Sequence, residues 1–234
     1  MIVERTENPD WLSNAYLVAE GPGGSGVLID GNGVSGPLLD RVAEDDITIT
    51  HMLVTHGHGD HVVDVESMAS HFGAPLLRWP ELTDGQVVTS GGLEITAMHT
   101  PGHCTDHIAF LVNGADCFTA DVLFKGTVGG TAGGGPTGYA DIKTSIMDRL
   151  MSLDSATVVH PGHTLPTTIG EEWESNPFIR IWRGLDPEGD DQCMVRGEPA
   201  TLVLWAPDYD GTNKAWVRYP DGRDAIVGGS QVSR

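Results

Sequence analysis

A dense cluster of potential metal ligands follows directly on an apolar segment of β-strand type. Residues 49–55 form a run typical of a buried strand, and this run ends at His56. The next positions supply three imidazoles and one carboxylate, in the order Thr55-His56-Gly57-His58-Gly59-Asp60-His61. Histidine nitrogen and carboxylate oxygen bind borderline-soft divalent metals, and two glycines let the backbone fold tightly enough for these side chains to converge. The segment therefore predicts a metal site at the end of a strand.

Three further potential ligands, His103, Asp121 and His163, each follow another run of β-strand type. Loops that leave the same ends of neighbouring strands gather at one edge of a sheet, so these side chains can meet the first cluster. One tetrahedral zinc ion with an open position takes only three protein ligands and a water. Two ions with a carboxylate between them use all seven donors, and such a pair is suited to hydrolysis.

The charge balance argues against anionic partners. The 234 residues include 13 Lys and Arg against 33 Asp and Glu, a formal net charge of −20. A surface this negative repels nucleic acid phosphates and anionic lipid headgroups. The sequence also lacks an apolar window of about 18 residues and the basic-then-apolar order of a signal peptide, and its three cysteines do not suggest a disulfide framework. We expect a soluble, cytoplasmic protein that acts on a small molecule, with no nucleic acid or membrane partner.

Strand and helix signals are mixed as far as residue 183, and the pattern then changes. Residues 186–191 form a polar, helix-breaking stretch, and the segments that follow are short β-type runs separated by turn residues. We therefore predict a catalytic domain over residues 1–183 and a small β-stranded appendage over residues 184–234. Exposed aromatic residues of this appendage are candidate contacts in a homodimer.

The ligand motifs resemble those of the metallo-β-lactamase fold superfamily. The resemblance is carried by His56-x-His58-x-Asp60-His61 together with His103, Asp121 and His163, and it covers about residues 1–183. Two other segments, Thr119–Phe124 and Pro161–Phe178, are similar to those of the glyoxalase II-like hydroxyacylglutathione hydrolases. The resemblance implies an α/β fold, a four-layer αβ/βα sandwich with metals at one sheet edge, followed here by the small C-terminal all-β appendage.

The resemblance also implies which ligands bind which of two metal ions. The first metal would be held by His56, His58 and His103, the second by Asp60, His61 and His163, with Asp121 bridging the two. It implies two Zn²⁺ ions per chain, with iron or manganese as alternatives. A dinuclear zinc site would lower the pKa of water toward roughly 7, so a metal-bridging hydroxide would attack a thioester or ester carbonyl. Asp60 would be the catalytic residue that orients this nucleophile and accepts its proton.

Two departures from glyoxalase II bear on the substrate. The chain ends in a β module where that enzyme has a helical domain, and Gly126–Gly138 is glycine-rich where related enzymes often carry an arginine. Lys125 and Tyr139 are candidate substrate residues because they lie near Asp121 and after the glycine-rich loop, respectively. A solvated surface lysine and a core tyrosine are the alternative interpretations.

Two other functions fit the same residues. A mononuclear iron enzyme similar to the persulfide dioxygenases would use His56, His103 and Asp121 to activate dioxygen, and one iron per chain with oxygen uptake would identify it. A non-catalytic, metal-dependent binding module would show bound metal but no turnover on acyl, phosphoryl or lactone compounds.

Overall fold

The computed structural model describes residues 1–131 and 138–234, which form two compact units. Unit 1 consists of Met1–His99, Asp106–Ala120 and Gly162–Thr164. Unit 2 consists of Thr100–Thr105, Asp121–Pro161 and Leu165–Arg234. The domain boundary between residues 183 and 184 stays a prediction. In the described parts of the chain, no helix is both long and apolar enough to cross a membrane.

Unit 1 begins with a five-stranded mixed sheet and three helices. In chain order these elements are β1 (Ile2–Glu7), β2 (Asn14–Ala19), β3 (Ser25–Ile29), α1 (Gly36–Glu44), β4 (Thr48–Leu53), α2 (Gly59–Val62), α3 (Val65–Phe72) and β5 (Leu76–Leu77). The strands follow the order β1-β2-β3-β4-β5, antiparallel up to β3 and parallel from β3 to β5. All six residues of β2 are buried, as expected for a strand covered on both faces.

The two longer helices of unit 1 cover one face of this sheet. Val65, Met68 and Ala69 of α3 are buried in a cluster with residues of β2, β3 and β4, which follows from their spacing at i, i+3 and i+4. The helix ends at Gly73, whose φ of 61° is the left-handed conformation that closes many helices. The predicted amphipathic helix over these residues is thus present.

The other face of the sheet packs against an antiparallel meander within unit 1. Its strands are β6 (Val87–Ser90), β7 (Leu93–His99), β8 (Ile108–Val112) and β9 (Asp116–Ala120). They pair in sequence, with positive φ at Gly91, Asn113 and Gly114 in the two tight turns, as the sequence predicts. Phe110 and Phe118 of the meander pack in one apolar core with side chains of the first sheet. This core supports the ends of β3 and β4, from which the site residues depart.

In its described residues, unit 2 combines short hairpins, three α-helices and a C-terminal sheet. Its elements are β10 (Leu123–Phe124), β11 (Thr127–Val128), α4 (Tyr139–Thr144), β12 (Val158–Pro161), β13 (Thr167–Thr168), α5 (Ile169–Ser175), α6 (Pro177–Trp182), β14 (Asp191–Val195), β15 (Glu198–Pro207), β16 (Asn213–Arg218), β17 (Asp224–Gly228) and β18 (Val232–Ser233). After α4 the chain continues as a π-helical turn, Ser145–Arg149, and a 3₁₀ turn, Leu150–Ser152. Ile142, Ile146 and Leu150 are buried along this segment, as the sequence pattern predicts.

The C-terminal sheet is antiparallel, with the strand order β17-β16-β15-β14-β18. Leu202, Val217 and Val227 belong to its own apolar cluster. The all-β structure predicted for the appendage is therefore confirmed, and β17 and β18 are its edge strands.

Candidate metal centre

Three predicted ligands form a compact donor group in unit 1. One donor atom from each of Asp60, His61 and His163 lies within 4.8 Å of the other two. The Asp60 Oδ2 atom is 3.5 Å from His61 Nε2 and 3.6 Å from His163 Nε2. Ligands about 2.0–2.2 Å from a tetrahedral zinc ion lie roughly 3.3–3.6 Å from one another. The spacing of these atoms therefore fits a shared metal ion.

Local backbone contacts explain why these residues meet. Asp60 lies in the first turn of the short helix α2, and its carbonyl oxygen accepts a hydrogen bond from Ser13 Oγ at 2.9 Å. Ser13 also forms an isolated β-bridge with His163, and the next residue, Asn14, donates its N–H to Gly162 O at 2.7 Å. The segment around Ser13 thus holds Asp60 and His163 side by side.

The orientation of the buried His61 and His163 rings is fixed by hydrogen-bond partners at Nδ1, the nitrogen that faces away from Asp60. His61 Nδ1 lies 3.0 Å from Asp30 Oδ2, and His163 Nδ1 lies 2.9 Å from Leu12 O. Carboxylate and carbonyl oxygens only accept hydrogen bonds, so this network assigns the ring proton to Nδ1 in both residues. In the neutral form of each ring, the Nε2 atom that faces Asp60 then carries the lone pair. This is the arrangement found around metal-bound histidines.

Asp30 also orients the ring of His56, through the side chain of Thr55. Its carboxylate accepts hydrogen bonds from Thr55 N at 2.8 Å and from Thr55 Oγ1 at 2.7 Å. Because the single hydroxyl proton of Thr55 points to Asp30, the 3.0 Å contact between His56 Nδ1 and Thr55 Oγ1 is donated by the ring. Asp30 is buried with a φ of 59°. Its place at the end of an apolar strand is the signal that identified other candidates, but sequence reasoning did not single it out.

His56 and His58 complete the set of five predicted ligands in unit 1. His56 Nε2 is 3.1 Å from His58 Nδ1, and the ring centroids of His56 and His61 are 4.5 Å apart. The intervening loop is held by Gly57, whose N–H donates to Asp106 Oδ2 at 3.0 Å. His56 and His61 are buried, while His58 is half-buried. The HxHxDH motif thus converges as its composition predicts.

Unit 2 brings the remaining two predicted ligands together. His103 Nε2 lies 3.6 Å from Asp121 Oδ2, the same spacing as in the unit 1 group. His103 Nδ1 donates a hydrogen bond of 2.9 Å to Gly130 O, so this ring also directs Nε2 toward a carboxylate. A Cβ atom at Gly129 would overlap the carbonyl oxygen of Asp121. Glycine at this position is therefore required by the close approach of the two backbone segments.

A helix supports the His103 loop from its other side. Gly102, with a φ of 135°, lies directly against the backbone of Ile142 in α4, where a Cβ atom would overlap the helix. Ser145 Oγ donates a 2.7 Å hydrogen bond to Pro101 O. The described part of the glycine-rich loop, residues 126–131, and α4 therefore hold His103 jointly. Residues 132–137 of that loop lie outside the described residues.

The two candidate substrate residues have structural neighbours of their own. Lys125 Nζ lies 3.8 Å from Glu171 Oε1, and both side chains are exposed. The hydroxyl of Tyr139 accepts a 2.8 Å hydrogen bond from Trp182 Nε1, and its ring lies 5.0 Å from that of Trp216. Burial raises the pKa of the Tyr139 phenol. Their role toward a substrate stays a prediction.

Comparison with known proteins identifies the family. The model of the metallo-beta-lactamase superfamily matches residues 8–82, the stretch that contains the HxHxDH motif. An uncharacterized protein of Mycobacterium tuberculosis (strain H37Rv) is 33% identical over 207 residues, which cover 71% of this chain and 92% of the relative. A hydroxyacylglutathione hydrolase, GloC, of Haemophilus influenzae is 30% identical over 185 residues, 65% of this chain and 86% of the relative. The chain belongs to the metallo-β-lactamase superfamily.

A solved structure supports the same assignment. The crystal structure of TTHA1623 in a di-iron-bound form matches with a TM-score of 0.65 and 30% identity, over 76% of this chain and all of that chain (100%). The α/β metallo-β-lactamase fold and the superfamily predicted from the ligand motifs are thereby confirmed. The donor chemistry of His61, His163 and Asp60 fits a metal ion on the distances and ring orientations above.

Proposed function

We propose that this protein is a metal-dependent hydrolase that cleaves a thioester or an ester. The observation that carries the proposal is the Asp60, His61 and His163 group, with its ligand spacing and its two rings oriented from behind. The relative named hydroxyacylglutathione hydrolase supports a thioester as the substrate class. The partner of this reaction is a small molecule.

Two divalent ions per chain are part of the proposal. We assign His56, His58 and His103 to one ion and Asp60, His61 and His163 to the other, with Asp121 between them. The donor pairs within each unit, at 3.5–3.6 Å, support this division. Zinc is the proposed metal because histidine and carboxylate donors suit it. Iron and manganese are the alternatives, and the di-iron form of TTHA1623 supports iron.

The residues of the chain have separate tasks in this proposal. When bound, the ions supply a nucleophile at neutral pH by lowering the pKa of water toward about 7. Asp60, 27% exposed, orients the attacking water, takes up its proton and returns it to the leaving thiolate or alkoxide. Asp30 and the carbonyl groups of Leu12 and Gly130 keep the histidine rings in one tautomer. The products are a carboxylic acid and a thiol or an alcohol.

The test is hydrolysis of S-lactoylglutathione and of a panel of simple thioesters and esters by the purified protein loaded with zinc. We expect turnover by the wild type and a loss of more than about 100-fold in His163→Ala, since removing only a partner of a metal ligand already costs about 10–100-fold. His71→Ala is the matched control, because His71 is an exposed histidine on α3. Equal rates for wild type and His163→Ala, or no turnover of any compound by the metal-loaded wild type, would contradict the proposal.

A further inference from the structure

The C-terminal sheet is hydrogen-bonded to the segment that supports His103. Thr131 donates its N–H to Ile226 O at 2.8 Å, and Ile226 N–H donates to Thr131 Oγ1 at 2.9 Å. Ile226 is fully buried and lies on β17, an edge strand of the sheet. Edge strands carry backbone groups that the sheet itself does not pair. Thr131 pairs both groups of Ile226, so it covers one position of this edge.

The same peptide unit reaches the metal ligand. The N–H of Thr131 and the carbonyl of Gly130 belong to one planar trans peptide, in which the two bonds point in opposite directions. The N–H is bonded to Ile226 O, and the carbonyl accepts the 2.9 Å hydrogen bond from His103 Nδ1. Because the peptide is rigid, fixing its N–H on β17 also fixes the direction in which its carbonyl meets the imidazole.

We infer that the C-terminal sheet is a positioning element of the metal centre, and that Thr131 is the positioning residue through which it acts on His103. This inference rests on the proposed function, since it assigns His103 as a metal ligand. The hydroxyl of Thr131 holds Ile226 N–H, and the pair of hydrogen bonds keeps the Gly130–Thr131 peptide from rotating. The ring of His103 then keeps its proton on Nδ1 and its lone pair on Nε2.

A second contact joins the C-terminal sheet to α4, the helix that supports the His103 loop. Tyr139, at the start of α4, packs against Trp216 of β16 with the ring centroids 5.0 Å apart. Further along this helical segment, Gly102 lies against Ile142, and Ser145 bonds to Pro101. The C-terminal sheet therefore contacts both of the structures that hold His103, which are residues 126–131 of the glycine-rich loop and α4. This assigns the appendage a role besides the homodimer contacts that the sequence suggested.

Substitution of Thr131 tests the inference in the full-length protein. Thr131→Val keeps the shape of the side chain but removes the hydroxyl acceptor, and Thr131→Ser keeps the acceptor. We expect Thr131→Val to weaken zinc affinity about threefold to tenfold, less than the 10–100-fold cost of losing a direct partner of a ligand. Thr131→Ser should restore the wild-type affinity. The measurement is competition for Zn²⁺ against a chromophoric chelator, with the metal content checked after dialysis.

The matched control is Thr212→Val in the same sheet. Thr212 Oγ1 donates a 2.6 Å hydrogen bond to Asp210 in an exposed turn, so this variant destabilises the module without touching the Thr131 contact. Zinc affinity should remain at the wild-type level in Thr212→Val even where its melting temperature falls as much as that of Thr131→Val. Equal zinc affinity in Thr131→Val and the wild type, or an equal loss in both valine variants, would overturn the inference.

A readout without metal separates this inference from the proposed function. In the metal-free protein, ¹⁵N-edited NMR of the imidazoles reports the Nδ1 proton of His103. We expect its signal to shift and exchange faster with water in Thr131→Val and to return in Thr131→Ser. An unchanged signal overturns the inference even where the wild type hydrolyses thioesters. Conversely, altered affinity and signal in Thr131→Val with no hydrolysis of any compound would leave the inference standing and refute the proposed function.

Discussion

At the scale of single residues, the site depends on buried polar groups one contact away from the predicted ligands. Asp30 illustrates this, because its carboxylate accepts hydrogen bonds from the Thr55 hydroxyl and from His61 Nδ1. The same hydroxyl oxygen accepts a hydrogen bond from His56 Nδ1, so Asp30 acts on His56 through Thr55. One carboxylate thus sets the proton position on two imidazoles. Loss of such a partner commonly lowers metal affinity or activity by about 10–100-fold.

We predict that Asp30→Asn weakens zinc binding about 10–100-fold. With its amide oxygen retained on Thr55 N–H, asparagine presents an NH₂ group to His61 Nδ1, which can then only accept. The ring proton must move to Nε2, the atom that faces Asp60, and a protonated nitrogen cannot bind a metal ion. Competition against a chelator measures the change in affinity.

Asp64→Asn is the control for this prediction. Asp64 Oδ1 accepts a 3.2 Å hydrogen bond from Gly33 N, and an asparagine oxygen can accept the same bond. The control should bind zinc as the wild type does. Wild-type affinity in Asp30→Asn would show that Asp30 does not set the tautomer of His61.

The candidate ligands could be named from residue type and position, whereas the groups that support them could not. His56, His58, Asp60 and His61 stand together in one motif, and short motifs of this kind identify metal sites from sequence. The supporting groups are instead main-chain carbonyls, such as Gly130 O and Leu12 O, and their role cannot be predicted from the type of residue that carries them. Their contribution comes from contacts across 27 and 151 positions of sequence, which only the fold defines.

At the scale of elements, long periodic segments were predictable and short ones were not. The helix Val65–Phe72 has the predicted bounds, because its apolar spacing and Gly73 mark both its face and its end. The strands Leu123–Phe124 and Thr127–Val128 were missed, since two residues cannot display a period. That hairpin nevertheless leads into the segment that supports His103.

Helix α5 holds this hairpin through a buried carboxyl group. Glu172, 1% exposed, accepts hydrogen bonds from Gly126 N at 2.9 Å, Asn176 Nδ2 at 2.8 Å and Thr167 Oγ1 at 2.8 Å. Asn176 also donates to Thr127 O at 3.2 Å. Burial raises the pKa of Glu172, and this effect outweighs the hydrogen bonds, which lower it. The pair Glu172 and Asn176 therefore fixes the turn and second strand of the hairpin.

The raised pKa predicts how stability depends on pH. The folded state holds the Glu172 proton more tightly than the unfolded state, whose ordinary pKa is 4.5. This contribution is fully present below pH 4.5 and is lost as the pH rises through the folded-state pKa. In Glu172→Gln, the amide can donate to Thr167 Oγ1 while its oxygen accepts from Gly126 N. We expect the free energy of unfolding of the wild type to fall relative to this variant across that window.

Urea denaturation at a series of pH values from 4 to 8 measures this difference, with the metal-free protein used throughout. Glu174→Gln is the control, because the Glu174 side chain is 70% exposed. Its stability profile should run parallel to that of the wild type. A parallel profile for Glu172→Gln as well would contradict the assignment of a raised pKa to this group.

At the scale of the whole molecule, the dominant property is the net charge of −20. Exposed carboxylates in such excess repel one another, and salt screens this repulsion over a Debye length of about 10 Å at 0.1 M. We predict that the melting temperature rises by a few degrees as NaCl increases from about 0.01 to 0.15 M, since about 1 kcal/mol shifts a chain of this size by roughly 2–4 °C. KCl should act equally. A melting temperature that stays constant or falls with salt would show that self-repulsion does not limit stability.

Zinc-edge anomalous diffraction from crystals of the zinc-loaded protein decides whether the seven donors hold two metal ions. We predict two anomalous peaks about 3.5–4 Å apart, one bound by Asp60, His61 and His163 and the other by His56, His58 and His103. A single peak, peaks away from these side chains, or none in crystals grown with excess zinc would contradict the claim.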